Sequence, residues 1–182
     1  MGILIFLIKN VGINPTRIGF VEVLEKMGTK LELLNKKDIS NEPRADIKIK
    51  GSLLKGIQID KKMIAGIIDE LPLVAVIATQ ARGKTVVKDA RELRVKETDR
   101  IKAVVDGLSK MGAKISERDD GFEVIGPTEL AGSTVNSYHD HRIAMSLAIA
   151  ASYAKGKTII QETQCMDVSY PEFIQVYYKI FD

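Results

Sequence analysis

The 182-residue sequence predicts an α/β domain of repeated βαβαββ-type units, and two internal repeats plus the order of patterns predict it. The segment "FVEVLEKMGTKLEL" (20–33) returns as "AVVDGLSKMGAKIS" (103–116): an amphipathic helix pattern ending in Lys-Met-Gly, then a strand. Lys26 and Lys110 of the two copies lie 84 positions apart. The segment "IDELPLVAVIATQARGKTVVKDA" (68–90) returns as "HDHRIAMSLAIAASYAKGKTIIQET" (139–163), with Gly83 and Gly156 73 positions apart. Each copy has an acidic residue opening an apolar, alanine-bearing helix, a Gly-Lys-Thr turn and a β-branched strand. Recurrence on this scale means duplicated supersecondary units, longer than solenoid repeats.

The elements follow in order. "MGILIFLI" is apolar but far shorter than the roughly 20 residues a membrane span needs. Lacking a basic leader and a small-residue cleavage site, it reads as a buried strand. A helix over 15–27 starts at Pro15, where a missing N–H costs nothing, and stops at Gly28, where a left-handed cap is wanted. Strands "KLELL" and "DIKIKG" close a partial first unit, about 1–55. The second unit, about 56–126, opens with strand "GIQI". It continues with a helix from about Asp69 to Arg82 carrying Pro72 near its start, then strand "TVVKD". A helix over 97–111 follows, with Ile101, Val104, Val105 and Leu108 on one face and Gly112 as its stop. Strands "KISER" and "GFEVIG" are joined by the hairpin signal Asp119-Asp120-Gly121. The third unit, about 127–182, has the helix opened by residues 139–142, a strand after Gly156-Lys157-Thr158, and a last helix beyond Pro171. No Ser/Gly/Pro-rich linker divides the chain, so one domain over 1–182 is expected.

Hydrophobic content of 45% is ample for a packed core. A net charge of +3 with 28% charged residues of both signs is too mild for a nucleic-acid binder. The single cysteine, Cys165, excludes an internal disulfide and reads as a small buried hydrophobe. With two histidines and no CxxC, neither a metal site nor a cofactor is expected. The composition is that of a cytoplasmic globular protein with no membrane span.

Unusual residues gather at the expected helix starts: Asp69-Glu70, then Lys96 to Arg100 in "ELRVKETDRI" (92–101), then His139-Asp140-His141-Arg142. Acids there cap helices and compensate the dipole, which by itself would explain Asp69. Cations such as Lys96, Arg100 and Arg142 work against the dipole unless an anion sits among them. Lys96 and Arg100, four apart, would share a helix face, either as a binding site or as a solvated face laced by Glu97 and Asp99. "GKTV" and "GKTI" are not phosphate loops. They follow a helix and open a strand, the inverse of the P-loop order, which favours a helix-capping glycine.

The stretches "NVGINPTRIGFVEVLEKMG", "IDELP", "ELRVKETDRI", "HDHRIAM" and "SYPEF" closely resemble the EPSP synthase family, the enolpyruvyl transferases acting on shikimate-3-phosphate, from about Val11 onward. The resemblance implies three βαβαββ units in pseudo-threefold arrangement, with helices inside and sheets outside. It implies phosphoenolpyruvate at Arg100 and Arg142, and shikimate-3-phosphate at Asp69, Glu92 and Lys96. Asp69 would be the base that takes the 5-hydroxyl proton, and Glu97 the acid that protonates the methylene carbon. Family members are more than twice this long, so the chain resembles their C-terminal domain, and the N-terminal domain would be its partner. Val168 departs from the family, in which several members carry lysine three residues before the last proline. UDP-N-acetylglucosamine enolpyruvyl transferases are the rival within the fold, which "ELRVKETDR" disfavours. A non-catalytic half-domain that holds an anion or a partner chain is the rival of another class.

Overall fold

A computed structural model of the chain describes residues 5–181. Three sheets follow one another along the chain. In the first, β1 (Ile5–Gly12) and β2 (Lys30–Ile39) flank β3 (Glu42–Lys50), both antiparallel to it. The second has the order β4 (Gln58–Ile59), β5 (Gly83–Val87), β7 (Gly121–Gly126), β6 (Lys114–Arg118), with β4 parallel to β5 and the rest antiparallel. The third pairs β8 (Thr134–Asn136) parallel to β9 (Ile159–Gln161). The strand order β1-β3-β2 repeats β5-β7-β6, and β8-β9 repeats β4-β5, so the sequence repeat is a structural one.

The helices are α1 (Gly19–Lys26), α2 (Lys61–Ile64), α3 (Leu71–Ala78), α4 (Arg100–Lys110), α5 (His141–Ala151), α6 (Cys165–Ser169) and α7 (Phe173–Phe181). α3 is apolar all round, and Leu71, Val74, Ala75, Val76 and Ala78 are wholly buried. A helix apolar on every side has no face for water, so it must lie inside. α4 and α5 pack beside it, joined in the core by Val23 and Met27 of the first unit and by Val87, Phe122 and Val124 of the second sheet. Each such aliphatic or aromatic side chain contributes about 1.5–3 kcal/mol of burial. Gly107 sets the α4–α5 distance, because a Cβ there would stand 2.7 Å from Leu147 Cδ2. At the ends of α1 and α4, Gly28 and Gly112 have φ of +102° and +89°, as the Lys-Met-Gly repeat predicts. Thr29 N–H reaches Leu24 O and Ala113 N–H reaches Leu108 O, both at 2.9 Å, completing the same cap twice.

Several expectations need correction. β1 forms, but its described residues Ile5 to Ile8 are about half exposed rather than buried, because the first sheet has no strand beyond β1 and little packed over it; residues 1–4 lie outside the described part. The helix expected over 15–27 starts at Gly19, after a turn at Pro15–Arg17. That expected from Asp69 to Arg82 is α3 alone, preceded by a 3₁₀ turn over Ile68–Glu70 and ended where Thr79 Oγ1 turns back to Val76 O at 2.7 Å. Gly83 and Gly156 are left-handed but lie beyond the last turns of α3 and α5. Gly83 opens β5 and Gly156 lies three residues before β9, so neither caps a helix. Cys165 is half-buried, its Sγ 3.4 Å from Glu162 O.

Candidate functional site

Three helix starts converge. Asp69 sits in the 3₁₀ turn that Pro72 forces into the entrance of α3. Arg100 is the first residue of α4, whose N-cap Asp99 accepts from Lys102 N–H at 3.0 Å. Arg142 is the second residue of α5, whose N-cap Asp140 accepts from Arg142 N–H at 2.8 Å and Ile143 N–H at 3.2 Å. The caps leave the cationic side chains pointing into the space between the helices.

Arg100 is 1% exposed and spends its whole fork on carboxylates. Its Nε donates to Asp140 Oδ2 at 2.7 Å, one Nη to Asp69 Oδ1 at 3.0 Å and the other to Glu97 Oε2 at 2.5 Å. Arg142, one-third exposed, reaches Asp69 Oδ2 at 3.2 Å, Asp69 O at 3.2 Å and Glu70 Oε1 at 3.3 Å. Asp69 therefore bridges the two guanidiniums, one oxygen to each. Lys96 pairs with Glu92 at 2.7 Å, apart from this cluster.

The electrostatics revise the sequence reading. Cations at helix starts do need an anion, but here the chain supplies it: Asp69, Glu70, Glu97 and Asp140 answer Arg100 and Arg142. Lys96 and Arg100 share no helix face, since α4 begins only at Arg100 and Lys96 is extended (φ −80°, ψ −158°) after a 3₁₀ turn over Arg91–Val95. Asp69, Glu97, Arg100 and Arg142 thus come together, while Glu92 and Lys96 form a second pair. A cavity of 370 Å³ opens beside them, lined by Thr16, Arg17, Ile68, Asp69, Glu70 and Arg142 among others. Sequence reasoning gave Asp140 and Glu70 only the capping and dipole role of acids at helix starts, not a pairing with these arginines. For Asp140 the capping signal was there, an aspartate directly before the His-Arg that opens a helix. Lys84 of the first Gly-Lys-Thr pairs with Glu123 on the neighbouring strand, far in sequence from any helix start that could make a phosphate loop. Val168 is 88% exposed. Among the described residues, no group of three or more His, Cys, Asp or Glu is arranged to hold a metal ion, and no helix is long and apolar enough to cross a membrane.

This fold and convergent site define an enolpyruvyl-transferase type of domain. Residues 5–177 match the family described as EPSP synthase (3-phosphoshikimate 1-carboxyvinyltransferase), and the chain belongs to that family. It is 51% identical over 175 residues to the 3-phosphoshikimate 1-carboxyvinyltransferase of Petrotoga mobilis, covering 96% of this chain and 40% of that protein. It is 56% identical over 168 residues to that of Gloeothece citriformis, covering 92% and 38%. The chain thus spans about two-fifths of the length of the curated relatives it matches. The structure of EPSP synthase from Acinetobacter baumannii superposes with a TM-score of 0.92 at 39% identity, over 96% of this chain and 41% of that one. The enolpyruvyl transferase NikO from Streptomyces tendae shares the fold, with a TM-score of 0.68 at 18% identity over 88% of this chain and 34% of that one.

Proposed function

We propose that the chain, 1–182, is one domain of a 3-phosphoshikimate 1-carboxyvinyltransferase, a cytoplasmic enzyme that moves the enolpyruvyl group of phosphoenolpyruvate onto the 5-hydroxyl of shikimate-3-phosphate. The observation that carries this reading is the convergence of Asp69, Glu97, Arg100 and Arg142 from three helix starts, inside a chain of this family.

The chemistry asks for these groups. The 5-hydroxyl loses its proton as its oxygen bonds to C2 of phosphoenolpyruvate, while the methylene carbon gains one. The resulting tetrahedral adduct then loses a methyl proton and expels phosphate, restoring the double bond. Asp69 and Glu97 flank a single guanidinium, which supports their reading as base and acid in these two proton transfers. Arg100 and Arg142 meet the carboxylate and phosphate charge of phosphoenolpyruvate and the negative charge that develops on the leaving group. Substrate anions must compete with the carboxylates already on these guanidiniums, so binding exchanges one set of ion pairs for another. Lys96 and Glu92 are assigned to shikimate-3-phosphate.

The rest of the site belongs to the part of the family protein outside this chain. That part would also cover β1, the free edge of β9 and α7, where Ile5 to Ile8, Ile159, Ile174 and Ile180 are about half exposed. The test is to mix this chain with the separately produced remainder of the synthase and follow phosphate release from phosphoenolpyruvate. Release that requires shikimate-3-phosphate supports the reading. Release that instead requires UDP-N-acetylglucosamine favours the sister enzyme, and folded complex without release favours a non-catalytic half-domain.

A further inference from the structure

Between the 3₁₀ turn at Arg91–Val95 and the start of α4, residues 96–99 form a short non-helical bridge that carries Lys96 and Glu97. Packing fixes it only in part, since Glu97 is half exposed although the Lys96 side chain is one-quarter exposed. Beside the Lys96–Glu92 and Glu97–Arg100 pairs, Arg94 ties the bridge to the β6–β7 hairpin. Arg94 Nε donates to Asp119 O at 2.8 Å and an Nη to Arg118 O at 2.7 Å, gripping the turn of the β6–β7 hairpin. Its other Nη meets Asp99 Oδ2 at 2.8 Å and Glu117 Oε1 at 2.8 Å. Asp99 uses its second oxygen to cap α4, so the same carboxylate joins the strap to the helix that bears Arg100. A planar fork with five N–H donors can hold all four partners at once; an ammonium cannot.

We infer that Arg94, which touches none of the clustered groups itself, is a positioning residue that holds the 96–99 bridge so that Glu97 reaches Arg100 and Lys96 stays beside it, paired with Glu92. The inference rests on the transfer reaction proposed above. Arg100 is anchored independently through buried Asp140, so loosening the bridge displaces Glu97 and Lys96 more than it displaces Arg100.

That asymmetry gives the test. In the assembled enzyme, Arg94→Lys should lower kcat by between about 10- and 100-fold and raise KM for shikimate-3-phosphate, with KM for phosphoenolpyruvate nearly unchanged. Amide hydrogen exchange on this chain alone should speed up at residues 96–98, with α5 and the second sheet at wild-type rates. Glu117→Ala, which removes one of the four partners, should show the same pattern more weakly, and it serves if Arg94→Lys fails to fold. Unchanged exchange at 96–98, or a folded variant with wild-type kcat and both KM values, overturns the inference. Equal losses in every kinetic constant with faster exchange throughout mean a general fold defect and also overturn it. If the wild-type assembly releases no phosphate, the transfer reading falls; the exchange measurement still decides whether Arg94 sets the bridge.

Discussion

Asp140 is wholly buried and charged, which is tolerable only because every oxygen is used: one on Arg100, the other on two α5 amides. Removing one partner of a buried ion pair leaves the other uncompensated. Asp140→Ala should therefore destabilise the chain by about 3–5 kcal/mol, read as a lower urea midpoint with an unchanged slope. A change below about 1 kcal/mol would mean that water reaches Arg100. Asp69 and Glu97 differ in being about half exposed, Asp69 shared between Arg100 and Arg142 and Glu97 paired with Arg100. In the assembled enzyme, Asp69→Ala and Glu97→Gln should each lower kcat by about 10²–10⁴-fold while raising KM much less. A folded variant with kcat within a few-fold of wild type would remove that residue from its proton-transfer role.

At the scale of elements, α4 is held to the turn before α5 by Tyr138, whose hydroxyl donates to Asp106 Oδ2 at 2.9 Å, while Lys110 pairs with the same oxygen at 2.8 Å. Burial pushes the Asp106 carboxyl up, but the Lys110 and Tyr138 hydrogen bonds outweigh it and leave the pKa below its ordinary 3.8. A carboxyl depressed in the folded state contributes stability above its unfolded pKa and loses it as pH falls through the folded one. Tyr138 is partly exposed, so Tyr138→Phe should cost only about 0.5–1 kcal/mol at pH 7. Urea titrations should show that deficit shrinking as the pH drops below 3.8. A deficit that stays constant down to about pH 2 would mean that Asp106 is not the acceptor that matters.

The whole molecule shows an imbalance. α4 is packed under β6 and β7, whereas α7 buries none of its residues, although Phe173, Ile174, Val176, Tyr177, Tyr178, Ile180 and Phe181 make it almost wholly apolar. Its aromatic rings stack on one another instead, Tyr177 against Phe173 at 6.1 Å and against Phe181 at 4.9 Å. α7 and β1 each expose apolar side chains of the kind that mark an interface. The chain alone should bind a hydrophobic dye strongly and release no phosphate above background. Adding the remainder of the synthase should lower dye fluorescence and slow amide exchange in β1 and α7. Turnover by the chain alone at ordinary enzyme rates would show that the site is complete without that remainder.

The repeats were readable in the sequence because they are local. Lys-Met-Gly marks two helix ends, where only glycine accepts the left-handed backbone, and the β6–β7 hairpin follows from Asp119-Asp120-Gly121. The family motifs also named Asp69, Glu97, Arg100 and Arg142 before any coordinates. Tertiary structure decided which groups these residues meet, because Asp69, Glu97 and Asp140 approach Arg100 from positions 31, 3 and 40 residues away. Local rules left open whether an outside anion or the neighbouring Glu97 answers Arg100; only the packing of α3, α4 and α5 reveals that Asp69 and Asp140, distant in sequence, are there as well. The exposure of β1 was equally hidden, since an apolar run reads as buried wherever it stands, and whether anything covers it depends on contacts far from it in sequence.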